Sequence, residues 1–169
     1  IGAQAKQIGW LPRATDDIDA ENLRDDLVTL AAFSGEPTLR AEAIKLAGDW
    51  RKLPAAVRGN ILMIAVRSDA ATFNKVVAEL PAEPSRRFRS EMIDALRAVT
   101  SLEQAAQAMK VVLNKAIDAR ETNLLLIFEE TMALRDQAEA FFTANFDQLL
   151  KLLPSESTTG SAVDWVHIY

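Results

Sequence analysis

The chain has 169 residues, 49% of them hydrophobic and 25% charged, the balance of a globular protein long enough for one good-sized domain. Its net charge of −5 offers no electrostatic footprint for nucleic acid or for an acidic membrane surface. The absence of cysteine excludes disulfides and thiolate metal sites, and it fits a reducing compartment, so the cytoplasm is the expected location.

No apolar run approaches the roughly 20 residues of a membrane span, and no signal-peptide pattern opens the chain. The first residue is Ile1 rather than methionine, so the chain reads as a piece of a longer protein.

Residues 1–18 read as an irregular lead-in with Gly2, Gly9 and the turn-like Gly9-Trp10-Leu11-Pro12; Trp10 and Leu11 are expected to pack on the first helix. That helix begins near Asp19, and Leu23, Leu27, Leu30 and Ala31 form its predicted buried stripe. Ser34-Gly35 ends it, with the glycine available for a left-handed cap. A second helix starts at Pro37, where a missing N–H costs nothing, and buries Leu39, Ala43, Leu46, Ala47 and Trp50. The short connection predicts two adjacent antiparallel helices.

Pro54 opens a third helix, with Val57, Ile61, Ile64 and Ala65 inward and Leu62 and Met63 widening the face. Ser68 is the expected cap of a fourth helix through Phe73, Val76, Val77 and Leu80, broken by Pro81 and Pro84. A fifth runs from Ser85 to Val99, with Phe88, Met92, Ala95, Leu96 and Val99 inward. Ser101 to Gln104 matches a capping box, and Ala105, Met109, Val112 and Leu113 follow on a sixth helix.

The run Leu124 to Phe128 is apolar all round and predicts a seventh helix buried between neighbours. An eighth spans Arg135 to Leu153, with Phe142, Phe146 and Leu150 at four-residue spacing, joined by Leu149 and Leu153; Pro154 stops it. The tail 155–169 is Ser/Thr-rich, then apolar at Val163, Trp165, Val166, Ile168 and Tyr169, and is expected to dock on the body or on a partner.

The openings Ser34-Gly35-Glu36-Pro37, Ser68-Asp69-Ala70-Ala71 and Ser101-Leu102-Glu103-Gln104 recur roughly every 33 residues, and Leu134-Arg135-Asp136-Gln137 falls near a fourth return. That period marks stacked helical hairpins, none of which buries its apolar face alone. The expected fold is all-α: a right-handed α–α superhelix of HEAT or armadillo type, with about eight antiparallel-paired helices over residues 19–154.

The chemistry is sparse. His167 is the single histidine, and the chain lacks H-E-x-x-H, G-x-S-x-G, a phosphate-cradling glycine loop and zinc-finger spacing. The carboxylates Asp16, Asp17 and Asp19 suit the positive end of a helix dipole; the pairs Asp25-Asp26 and Glu129-Glu130 point about 100° apart on a helix and do not converge. No catalytic, cofactor or metal-ligating residue is therefore assigned. Arg86, Arg87 and Arg89 form the one dense basic cluster. Its plain reading is a solvated helix face. Its functional reading is a cationic patch on the inner wall of a solenoid, where an arginine fork receives a peptide carboxylate.

The segments "IGWLP" and "LRDDLVTLAAFSGEPTLRAEAIKLAGDW" resemble the start of the C-terminal helical domain of the gluzincin zinc aminopeptidases, the family of the puromycin-sensitive, endoplasmic-reticulum and membrane alanyl enzymes. Gly9, Trp10, Pro12, Leu23, Arg24, Gly35, Arg40, Glu42, Ala43 and Trp50 carry the likeness. Near the other end, "AEAFFTANFDQLLKLLP" is similar to a family helix through Ala140, Phe142, Asn145, Phe146, Leu149, Leu150 and Pro154, with Phe141 at a position where an aromatic is common. From Leu53 to about Ala119 the match lies mainly in helix pattern, and "SAVDWVHIY" departs from the family's usual finish.

The resemblance implies a non-catalytic domain that arches over the active site of a separate thermolysin-like domain, encloses a chamber and helps admit and bind peptide. Zinc and the general base would belong to the parent enzyme, with none in this chain. The implied partners are the catalytic and other domains of the parent chain and the peptide substrate. The competing expectation is a freestanding helical-repeat module that binds a partner protein on its concave face.

Overall fold

The computed structural model describes residues 2–126, 128 and 131–152, and every described element is helical, with no strand among them. The all-α class is as expected. Contacts divide the chain into two compact units, Ile1–Val76 and Val77–Tyr169. Ile127, Glu129, Glu130 and residues 153–169, which include Leu153, Pro154, Trp165, His167 and Tyr169, lie outside the described residues.

The lead-in departs from expectation. Helix α1 spans Gly2–Ile8 and buries Ala5. Its interior is built of Ala, Gln and Lys, which favour helix, and both glycines lie at its margins, where they delimit it. Gly9, at φ 69°, donates its N–H to the Ala5 carbonyl at 2.9 Å, a left-handed C-terminal cap. Arg13 Nη2 donates to the Gln7 and Ile8 carbonyls, which the helix leaves without internal partners. Trp10 is buried and its indole N–H donates to the Leu39 carbonyl at 2.9 Å. Leu11, expected to pack, is 41% exposed.

Helix α2 (Ile18–Phe33) is capped by Asp17, whose carboxylate accepts from the Ala20 N–H at 2.8 Å. The predicted stripe holds at Ala31, which is buried, and at Leu27, which packs half-buried on the core, and it is corrected at Leu23 and Leu30, because the inner face is centred about one residue further on. Arg24, Val28, Ala31 and Ala32 are buried, while Leu23 and Leu30 are exposed. The buried face carries small residues and an arginine with internal partners. Arg24 Nη2 pairs with Asp16 at 2.5 Å and Nε donates to the Gly9 carbonyl at 3.2 Å. Helices α1 and α4 pack against α2.

The exit from α2 is as expected. Gly35 has φ 109°, its N–H donates to Ala32, and the Glu36 N–H donates to Ala31, the paired bonds of a Schellman turn. Arg40 adds donors to the Ala32 and Phe33 carbonyls at 2.7 and 2.9 Å.

Helix α3 (Pro37–Ala47) is capped by the Glu36 carboxylate, which accepts from Leu39 N–H at 2.8 Å. It buries Leu39, Ala43 and Ala47, and Trp50 is buried in the 3₁₀ turn 50–52 that follows. Helix α4 (Ala55–Ser68) packs on both α2 and α3 and buries Val57, Ile61, Leu62, Ile64, Ala65 and Val66. Trp10, Val28, Leu39, Ala43, Ile61 and Ile64 belong to one core. Asp69, rather than Ser68, caps α5 (Ala70–Glu79): its carboxylate accepts from the Thr72 N–H and hydroxyl at 2.7 and 2.6 Å. Ser68 is still the last residue of α4.

In the second unit, α6 (Arg86–Arg97) buries Met92, Ile93, Ala95 and Leu96, and α7 (Leu102–Lys110) buries Ala105, Ala108 and Met109. The Ser101 hydroxyl accepts from Gln104 N–H at 3.5 Å, the serine half of the expected capping box. Where a seventh helix was expected, a single turn α8 (Ala119–Thr122) runs into a 3₁₀ turn, Asn123–Leu126. Leu125, Leu126 and Phe128 are buried there. Those three side chains are buried as expected, but the stretch to Leu126 is a tightened turn beside α6, and burial alone does not require an α-helix.

Helix α9 (Met132–Leu152) packs on α7. Its fully buried positions are Leu134, Ala138 and Leu149, whereas Phe146 is 38% exposed and packs edge-on to Phe142 with ring centroids 5.4 Å apart. The predicted aromatic stripe is thus a margin of the buried face.

Candidate functional site

Ser85 opens α6 by accepting from the Phe88 N–H, and this cap sets the direction of the first turn. Arg86, Arg87 and Arg89 all lie in that turn, but the fold gives them three different fates.

Arg89 is the inward one, with its side chain 20% exposed. Its Nε and Nη2 donate to the two Glu121 carboxylate oxygens at 2.7 and 2.9 Å, a bidentate fork. Its Nη1 donates to the Glu83 and Pro84 carbonyls at 2.9 and 3.1 Å. The Arg89 hydrogen bond holds the Glu121 carboxyl below the ordinary glutamate range, against an opposing push from burial. The same bond raises Arg89 above the usual arginine value. This arginine ties α6 to α8.

Arg87 points along its own helix, 3.4 Å from Glu91 one turn on, and stays mostly exposed. Arg86 is 85% exposed and reaches within 3.9 Å of Glu121. It borders an open cleft of about 190 Å³ with Ser90, Ile93, Arg120 and Glu121. Arg120 brings a second guanidinium to that cleft, with Nε 3.0 Å from both Asp118 oxygens. The Arg120 side-chain bond lowers the Asp118 carboxyl below its usual range.

The cluster is therefore an interleaved set of charges. It brings Arg86 and Arg89 together around Glu121 and leaves Arg87 on the helix flank. Asp118, Arg120 and Glu121 were not anticipated as members. They lie about 30 residues from the arginines, and no local period links the two segments. The adjacency D-A-R-E was the available signal, but pairing it with α6 required the tertiary fold.

Two other groups singled out from sequence have structural roles. Asp16 accepts from the Arg13 backbone N–H, the first cause of its lowered carboxyl value, and pairs with Arg24. Asp25 accepts from the Asn60 amide on α4. Among the described residues no three His, Cys, Asp or Glu side chains come together in a way that could hold a metal ion. These residues do not fit the zinc that the resemblance places in the parent enzyme. None of the described helices is long and apolar enough to cross a membrane.

No curated protein and no solved structure matches the chain. A family model described as the ERAP1-like C-terminal domain matches residues 1–166, a span that takes in the cluster of α6 and α8 as well as the buried Trp10 and Arg24. By that match, covering nearly the whole chain, the protein belongs to the ERAP1-like C-terminal domain family and is a C-terminal domain of an aminopeptidase.

Proposed function

We propose that this domain does no chemistry of its own and forms part of the wall of an active-site chamber in a zinc-dependent aminopeptidase. In this reading zinc and the general base reside in another domain of the parent. A cytoplasmic parent fits the absence of cysteine.

The observation that carries the peptide-binding half of this reading is the exposed Arg86 beside the α6–α8 cleft. Arg89 has its fork filled by Glu121, so Arg86 is the arginine of the trio with donors directed to solvent next to a concavity. A peptide C-terminal carboxylate there would meet Arg86, with Arg120 also lining the cleft. Glu121 and Asp118 temper the site's charge, so the contact would tune peptide affinity and would not dominate it.

The test is made in the full enzyme. Arg86→Ala is expected to raise KM for a peptide with a free C-terminal carboxylate about threefold to tenfold, with little change for the C-terminally amidated peptide. Equal effects on the two peptides would remove Arg86 from peptide recognition. Arg89→Ala serves as a contrast, since it should lower stability before it alters carboxylate preference.

A further inference from the structure

Helix α2 carries a stripe that the first unit leaves uncovered. Asp19, Leu23, Asp26 and Leu30 follow one another at steps of four, three and four residues, so they lie along one line of the helix. Leu23 and Leu30 are 46% and 56% exposed, and both aspartates are exposed with no ion-pair partner among the described residues. Leu23 borders an open depression of about 340 Å³ shared with α1, and Leu30 borders another of about 350 Å³ with Ala31, Ser34 and Glu36. Seven residues of helix separate the two leucines by roughly 10.5 Å, the spacing of apolar anchors at i and i+7 on a facing helix.

We propose that this stripe is the docking face for an amphipathic helix from elsewhere in the parent polypeptide. That helix places apolar side chains over Leu23 and Leu30 and Lys or Arg against Asp19 and Asp26. The charge pattern selects the partner. In a two-fold pair of copies the α2 helices would run antiparallel and set each aspartate opposite a leucine, which desolvates the carboxylate and offers it no counter-ion. A segment of the same polypeptide is favoured because the family is one of C-terminal domains, whose neighbours along the chain are tethered at high effective concentration. The inference rests on family membership and on the surface of α2, and it is independent of the peptide-carboxylate reading at α6.

The experiment uses the purified parent enzyme. A benzophenone amino acid in place of Leu30 is expected to cross-link within the same polypeptide, to a helical peptide that contains Lys or Arg and lies outside these 169 residues. No cross-link, a cross-link between two copies, or one to residues 153–169 would overturn the proposal. Carbene footprinting of the unmodified parent gives a second reading that needs no variant. Labelling of Leu23 and Leu30 should fall by more than about fivefold relative to the denatured parent, because an interface core excludes the reagent along with water. A smaller drop would mean that the stripe faces solvent and would also overturn the proposal.

Discussion

Arg13, Arg24, Arg40 and Arg89 each donate to backbone carbonyls at a turn or a helix end, and Arg24 and Arg89 add a carboxylate partner. An arginine can do both at once because its five donors lie in a rigid plane. The same residue type therefore serves structure at position 89 and remains available for a ligand at position 86. Glu121→Gln should lower stability by roughly 1 kcal/mol at neutral pH, since the amide keeps one acceptor oxygen but turns an NH2 donor toward the other arm of the Arg89 fork, so one bond is lost together with the charge. The folded-state value of Glu121 lies below its ordinary 4.5, so its contribution is present above that pH and is lost as pH falls through the lowered value. Urea midpoints measured from neutral pH down to about pH 3 should converge for the two proteins on the acid side. A constant gap across the range would show that the Arg89 pair does not depend on ionisation.

At the scale of elements, five of the nine described α-helices open on a side-chain cap named above: Asp17 on α2, Glu36 on α3, Asp69 on α5, Ser85 on α6 and Ser101 on α7. The turn between α2 and α3 depends on Gly35 at φ 109°, a conformation that L side chains rarely adopt. A Cβ there would meet no atom closer than Arg40 Nη2 at 3.9 Å, so the cost of Gly35→Ala is conformational and not steric crowding. The expected loss is about 1–2 kcal/mol in a denaturant titration, with the m-value unchanged. A neutral result would mean that the turn can relax to a negative φ while keeping the Glu36 cap on α3. In α2 the position of the helix along the chain and its rotation about its own axis have separate causes. The leucine periodicity was real, but two of those leucines face out because the inner face is occupied by Val28, the small Ala31 and Ala32 and the Arg24–Asp16 pair.

For the whole molecule, the chain belongs to an aminopeptidase C-terminal domain family, and the chamber-wall role proposed for it would leave catalysis to the rest of the parent. The purified 169-residue chain is expected to bind no stoichiometric zinc and to release no product from an aminoacyl anilide. Zinc-dependent turnover that survives further purification would contradict that expectation. The sequence by itself determined the helical class, the start of α3 at Pro37, the glycine stop at Gly35 and the cap at Ser101, because each depends on a few adjacent residues whose backbone preferences act locally. The family likeness was equally legible, since it too is carried by short segments such as IGWLP and the stretch from Arg40 to Trp50. Only the tertiary structure decided which way α2 turns its leucines, that Glu121 reaches Arg89 across 32 residues, and that the run after Thr122 tightens into a 3₁₀ turn. Those outcomes depend on which side chains a distant segment presents, and periodicity along one helix carries no information about its neighbours.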